Sequence, residues 1–296
     1  MLNKNNNYII FVRLLRIKQW VKNTFIFFPL LFSGQIFQSG LLFNSLRTFV
    51  GFCFISSGLY ILNDYLDREK DRLHPKKADR PLAHMKIPVG QVQIMILVLL
   101  AVGLFIAREA GPMVLSTGLI YIFLHLVYNF YTKKIVILDV FFVAAGFHVR
   151  IWAGSLAIAV LPSVWLQMCV FLLALFLGFT KRRYEIASLK EKAADHRSVL
   201  EHYTAYLLDQ IIIICSTLAI VFYGLYTISP EIAHRLGHGN MVYSIAFVIY
   251  GIFRYLYLVH VRKLGDDPGE ALFSDKPLLI SVLLWVMYVG YIIYLS

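Results

Sequence analysis

Four residues in the stretch 63–71, Asn63, Asp64, Asp67 and Asp71, read N-D-x-x-D-x-x-x-D. On an α-helix, at about 100° per residue, the three aspartates fall within about 60° of one another. They make a stripe over two turns, roughly 10 Å long. Like charges stacked this way destabilise a bare helix, so the stripe makes sense where cations sit on it. Hard oxygen ligands in such a row suit Mg²⁺, which keeps several waters and reaches a phosphate through one or two carboxylates. Arg72, Lys76, Lys77 and Arg80 follow at once. Carboxylates for a metal and guanidinium groups for phosphate are together what a magnesium–pyrophosphate complex requires. His74-Pro75 and Arg80-Pro81 are expected to break the helix and turn this basic arm back. The plain alternative is a solvated, charge-paired helix end, with Arg68 and Lys70 flanking Asp67 and Asp71.

The elements that must position these groups are membrane helices. The chain has 296 residues, 59% hydrophobic and 15% charged, against about 25% charged in soluble domains. Mean hydropathy is +0.70. Apolar runs recur at the ~18–20-residue length that crosses a bilayer, and such runs satisfy their backbone in lipid as helices. The expected fold is an all-α membrane protein, one domain over 1–296, with nine transmembrane helices around a cavity opening to the cytoplasmic face. The spans are expected at about 24–42, 46–65, 91–108, 112–131, 136–158, 162–181, 207–229, 241–260 and 277–295. Residues 1–23, with Arg13, Arg16 and Lys18 among apolar neighbours, suit an amphipathic interfacial helix anchored by Trp20. Residues 66–90 and 182–206 read as cytoplasmic cap loops.

The net charge of +11 is explained by sidedness. With the N-terminus inside, the inner segments carry 23 of the 28 Lys and Arg, and the outer loops three. That asymmetry sets orientation and removes the case for nucleic acid. It predicts an integral protein of the bacterial cytoplasmic membrane, with N-terminus and active site cytoplasmic and C-terminus outside. It leaves Asp64, Asp67, Asp71, Glu185 and Asp195 unexplained, because acidic residues contribute little to topology. Cys53, Cys169 and Cys215 lie in apolar runs and match no zinc or disulfide spacing, so they read as small hydrophobes.

At these residues the sequence resembles the UbiA superfamily of intramembrane prenyltransferases, and within it the branch of decaprenyl-phosphate phosphoribosyltransferases. The stretches that carry the resemblance are "RIKQWVKNTFIFFPLLFSG", "NDYLDREKDRLHPKKADRPLA", "YNFYTKKIVILDVFFVAAGFHVRIWAG", "LGFTKRRYEI", "RSVLEHYTAYLLDQ" and "DKPLLISVLLW", spread along nearly the whole chain. The Asp motif speaks for the superfamily; the H-P-x-K-x-x-x-R-P arm and the K-R-R-x-E segment speak for the branch. Many members carry a second D-x-x-x-D motif between helices six and seven. Here Glu185 is the best stand-in, while Glu191 and Asp195 have the spacing but lie farther along.

The resemblance implies transfer of 5-phosphoribosyl from phosphoribosyl pyrophosphate to a polyprenyl phosphate in the bilayer. In that reading Asp64, Asp67 and Asp71 hold Mg²⁺ with Glu185, and Asn63 orients the ligands. Arg72, Lys76, Arg80, Lys181, Arg182 and Arg183 hold donor phosphates. Lys22, Lys133 and Lys134 take the acceptor phosphate or the 5-phosphate. Tyr128 is a belt aromatic or a substrate contact. Asp139, one turn into the fifth span, is a functional acid or the partner of Lys133 or Lys134. His148 and Arg150 read as structural pairing or as contacts of a substrate cavity. His234, His238, Asp266 and Asp267 read as solvated. An aromatic-acceptor prenyltransferase with a prenyl pyrophosphate donor is the first alternative, an ion-coupled transporter the second. Homo-oligomerisation stays open.

Overall fold

In a computed structural model of the chain the described residues are 4–73, 78–84, 87–189, 198–230, 239–262, 264 and 268–295. Their order is α1 (Lys4–Leu15), a 3-10 helix (Ile17–Phe27), α2 (Phe28–Phe32), α3 (Ser39–Leu73), α4 (Pro81–His84), α5 (Val89–Ala110) and α6 (Pro112–Phe130). A 3-10 turn (Thr132–Lys134) then leads to α7 (Leu138–Ala157), α8 (Val164–Leu189) and a 3-10 helix (Ser198–His202). The chain continues through α9 (Ala205–Thr227), a 3-10 helix (Gly239–Ser244), α10 (Ile245–His260), α11 (Pro268–Ser274) and α12 (Lys276–Tyr294). No strand occurs among the described residues.

Eight of these helices are long and apolar enough to cross a membrane. The expected first span, 24–42, is the one that differs. It is not a regular helix: a 3-10 segment and α2 are followed by a break at 33–38, where Gly34 takes a φ of 73°. The physical reason is its polar content. Thr24, Pro29, Ser33, Gly34, Gln35 and Gln38 interrupt the apolar run, and Asn23 just before it, fully buried, is committed to α3. The segment nonetheless runs antiparallel along α3. Arg16 meets Asp64, Trp20 bonds Ser57, Asn23 bonds Ser56, and Phe27 packs on Phe49. α3 itself continues to Leu73, so the aspartates ride on a membrane helix extended past its apolar portion, not on a separate cap loop.

By contacts the chain divides into two units. The first is Met1–Lys133 with Val149–Leu161 and Asp195–Arg197; the second is Lys134–His148, Pro162–Ala194 and Ser198–Ser296. In the first unit α3 is the enclosed helix, 61% of its apolar window being buried, whereas α5 at 17% presents most of its surface outward. Phe52, Ile55 and Leu59 of α3 pack with Ile26, Tyr121 and Ala153. In the second unit Val140 and Ala144 of α7 join Phe176 and Phe179 of α8, Leu208 and Ile212 of α9, and Tyr255 and Leu258 of α10.

Close packing of α3 on α5 depends on small residues, as lipid gives helices no hydrophobic reason to associate. A Cβ at Gly103 would stand 2.7 Å from the Gly51 carbonyl oxygen and 2.9 Å from the Ile55 nitrogen. Both are backbone atoms and cannot swing aside. Gly103→Leu therefore forces α5 away from α3. Overpacking of this kind costs about 1–3 kcal/mol, read as a lower unfolding midpoint in detergent; an unchanged midpoint would show that the close approach is dispensable.

Candidate active site

The aspartate stripe lies in the first unit and is covered by cations from three separate parts of the chain. Asp64 and Asp71 are buried. Arg16 Nη2 donates to Asp64 Oδ1 at 2.6 Å. Arg80 Nη1 donates to Asp64 Oδ1 at 2.9 Å and to Asp71 Oδ2 at 2.7 Å. Lys133 Nζ donates to Asp67 Oδ1 at 2.7 Å. Buried carboxylates need such partners, since unpaired charge away from water is costly.

Local structure delivers each cation. Arg16 stands between α1 and the first 3-10 helix with φ 51° and ψ 47°, in the left-handed region. A non-glycine residue held there is strained backbone, maintained only by its surroundings. Those surroundings are α3: the Leu15 carbonyl accepts from Ser57 Oγ, which in turn accepts from Trp20 Nε1. The kink aims the guanidinium at Asp64 and over the Tyr60 ring, 5.5 Å from its centroid. Arg80 is set by α4, where Pro81 starts the turn and buried Leu82 packs beside Leu14 and Ile61. Arg72 secures that arrangement: its Nε donates to the Ala83 carbonyl, and its Nη1 pairs with Glu69. Lys133 follows the end of α6, held by the buried Thr132 beside it.

A second cluster occupies the second unit. Arg182 on α8 donates Nε to Asp139 Oδ2 at 2.6 Å and Nη1 to Glu185 Oε2 at 2.9 Å. Tyr203 Oη donates to Asp139 Oδ1 at 2.8 Å and accepts from the Ile137 amide at 2.6 Å. Asp139, Arg182, Glu185 and Tyr203 are all buried. Burial pushes the Tyr203 phenol above its ordinary pKa, and the Asp139 charge adds to the effect, so the phenol stays protonated and donates. Ile137, a β-branched residue, has φ 71°, which is a strained position. The partner of Asp139 is thus Arg182, not the weighed Lys133 or Lys134: Lys133 is taken by Asp67, and Lys134 is exposed.

The remaining expected site residues are placed as follows. Arg183 pairs with Asp209 at 2.9 Å. Asn63, Tyr128 and Lys181 are half-buried. Lys22 is half-buried too, and its charge bears on Tyr60 and His125. Lys76 lies outside the described residues, as do Glu191, Asp195, His234, His238, Asp266 and Asp267. Arg68 rests on Tyr65 and pairs with Glu69 rather than with the stripe. Arg150, buried, donates Nε to Asn23 Oδ1 at 2.7 Å and Nη2 to Tyr121 Oη at 2.5 Å.

Sequence reasoning assigned Arg16 only to the membrane surface, and it missed Tyr203. Arg16 lies 48 residues from Asp64, and no local pattern announces the pairing. For Tyr203 the clue was a phenol at the entry to an apolar run, which is common and therefore uninformative.

A metal fits the first cluster by its donor chemistry. One nitrogen of Arg80 spans Asp64 and Asp71, so a single cation reaches both carboxylates. Among the described residues no three His, Cys, Asp or Glu side chains close around a point. Two carboxylates within reach of one cation would suit Mg²⁺, which binds through one or two carboxylates and keeps several waters. In the second cluster Asp139→Asn removes a fully buried charge and leaves Arg182 under-compensated. Breaking a buried pair costs about 3–5 kcal/mol, so the variant unfolds at a clearly lower temperature in detergent. An unaltered midpoint would mean that the pair contributes nothing to stability.

The sequence model of the UbiA prenyltransferase family matches residues 25–268. A decaprenyl-phosphate phosphoribosyltransferase of Corynebacterium glutamicum is 31% identical over 96% of this chain and 86% of its own length. One from Mycolicibacterium smegmatis is 28% identical over 96% and 92%. Among solved structures, a UbiA homologue from Archaeoglobus fulgidus bound to GPP and Mg²⁺ superposes with a TM-score of 0.72 at 19% identity, over 96% of this chain and 99% of that one. Eight membrane-length helices among the described residues, together with this breadth of sequence match, make the chain a member of the UbiA prenyltransferase family, an integral-membrane transferase.

Proposed function

We propose that the protein transfers a 5-phosphoribosyl group from phosphoribosyl pyrophosphate to a polyprenyl phosphate. An oxygen of the acceptor phosphate bonds to C1 of the ribose. The bond from C1 to the pyrophosphate oxygen breaks, and its electron pair leaves with pyrophosphate. The acceptor is already an anion, so no strong general base is required. One observation carries the reading: two buried carboxylates bridged by a single cationic nitrogen, with two more cations beside them, at the polar end of a membrane helix. The names of the relatives at 31% and 28% identity point to the same donor and acceptor classes.

Asp64, Asp67 and Asp71 would hold Mg²⁺, which when bound neutralises negative charge developing on pyrophosphate. Asn63 orients the carboxylates. Arg16, Arg72 and Arg80 bind donor phosphates, while Lys22 and Lys133 take the acceptor phosphate or the 5-phosphate. Tyr128 borders the substrate. The basic connections face the cytoplasm, where their field raises the capture rate of the anionic donor. If the segment 16–38 is counted as a crossing, the N-terminus lies inside and the C-terminus outside the cytoplasmic membrane.

The family name, and the prenyl diphosphate bound by the Archaeoglobus homologue, favour one competing reading, prenyl transfer to an aromatic acceptor. Purified protein incubated with each labelled donor and its acceptor separates the two. Label from phosphoribosyl pyrophosphate is expected in a polyprenyl product; label from a prenyl diphosphate in an aromatic product would overturn the reading. Asp67→Asn is expected to reduce transfer to background while the protein stays folded; Asp64→Asn does the same with a lowered unfolding midpoint, because it leaves Arg16 and Arg80 under-compensated. Chelation with EDTA has the same effect, reversed by added Mg²⁺. Full activity in either variant would sink the metal role.

A further inference from the structure

Asn129 is buried near the inner end of α6, and neither its Oδ1 nor its Nδ2 has a hydrogen-bond partner in the structure. The hydroxyl of Thr132, one turn on, is equally enclosed and equally without a partner. Enclosed amides are almost always bonded, because leaving one unmatched forfeits its hydration. The pair therefore marks a place where something polar belongs.

The contacts between α6 and α3 show where that place is. Tyr121 packs on Phe52 with ring centroids 5.4 Å apart, His125 stands edge-on to Tyr60 at 6.4 Å, and Lys133 bonds Asp67. Residue numbers rise together on both helices, so α3 and α6 run parallel along this seam. Asn129 lies midway between His125 and Lys133 and on the same buried face. Its level on α3 is midway between Tyr60 and Asp67, which is Asn63 and Asp64. By this register the unmatched amide falls at about the level of the head of the aspartate stripe.

An amide offers two donors and an acceptor. A sugar hydroxyl, which both donates and accepts, satisfies it; a hydrocarbon chain does not. We infer that Asn129, with Thr132, reads the ribose hydroxyls of the donor and so selects a sugar-bearing diphosphate over a prenyl one. This inference rests on the phosphoribosyl reading above and names the residue that enforces it. A site built to bond a hydroxyl discriminates strongly against ligands lacking one, because its own polar groups are then left unpaired.

The test uses the full-length protein in detergent with Mg²⁺. Two constants are read: the KM for phosphoribosyl pyrophosphate, and the inhibition constant of inorganic pyrophosphate, which carries no sugar. Asn129→Leu is expected to raise the KM about 10- to 100-fold while leaving the pyrophosphate constant within about twofold. Asn129→Ser, smaller and still polar, is expected to raise the KM less, and it carries the test alone if the leucine variant fails to fold. A KM that does not change overturns the inference. So does a parallel rise in both constants, which would mark a structural role filled by buried water. Absence of any transfer from phosphoribosyl pyrophosphate by the unaltered protein overturns the phosphoribosyl reading itself, and this inference with it.

Discussion

Carboxylates at the polar end of a membrane helix demand positive charge, and the rest of the first unit is arranged around that demand. Asp64 and Asp71 are buried, so water does not compensate them. Their cations come from far apart in sequence: Arg16 from the N-terminal segment, Arg80 from beyond the end of α3, and Lys133 from beyond α6. Each is delivered by a device with its own cost or constraint. Arg16 requires left-handed backbone, Arg80 a proline-started turn, and Lys133 the termination of α6 just before it. The same three groups are the ones a phosphate ligand would call on. The protein is therefore charge-balanced in a form where these carboxylates and cations occupy one another.

The second unit repeats the logic with a different purpose. Asp139 is fully buried and engages Arg182 and Tyr203, and Arg182 goes on to Glu185. This chain of bonds ties α7, α8 and the entry to α9 together through polar groups in a setting where apolar packing alone gives little orientation. It also fixes the rotamer of Arg182 and so the direction of Glu185. The strained φ at Ile137 belongs here, because the amide that Tyr203 accepts from is that of Ile137.

Much of this was legible in the sequence, and the limits have physical causes. The spacing of Asp64, Asp67 and Asp71 is a local helical property, so their shared face follows from a rise and a rotation. Span positions follow from composition: six of the nine expected spans coincide with regular helices to within a few residues, and the sixth continues to Leu189. The second begins earlier and runs past Asp71 to Leu73. The first expected span, 24–42, differs in local form: Gly34 and its polar neighbours break it, and Trp20 and Asn23 come just before it. They bond α3 and Arg150 and hold the segment in a tighter coil. Arg16, Tyr203 and Asn129 were not legible as site residues. What marks each is a partner, or a missing partner, in a distant part of the chain, and one sequence carries no record of that.

Family membership constrains chemistry less than it constrains fold. A shared bundle with a metal-binding aspartate stripe handles the diphosphate in the same way whatever is attached to it. What distinguishes a ribosyl from a prenyl donor must lie beside the stripe, where the transferred group rests. A prenyl chain is accommodated by apolar walls. Here Tyr60, His125 and Tyr121 pack one on the next along the seam of α3 and α6, and Arg150 bonds Tyr121 and Asn23. Lining a membrane-embedded seam with amide, phenol, imidazole and guanidinium is expensive in lipid. On the phosphoribosyl reading proposed above, that expense serves a donor that is itself a polyol.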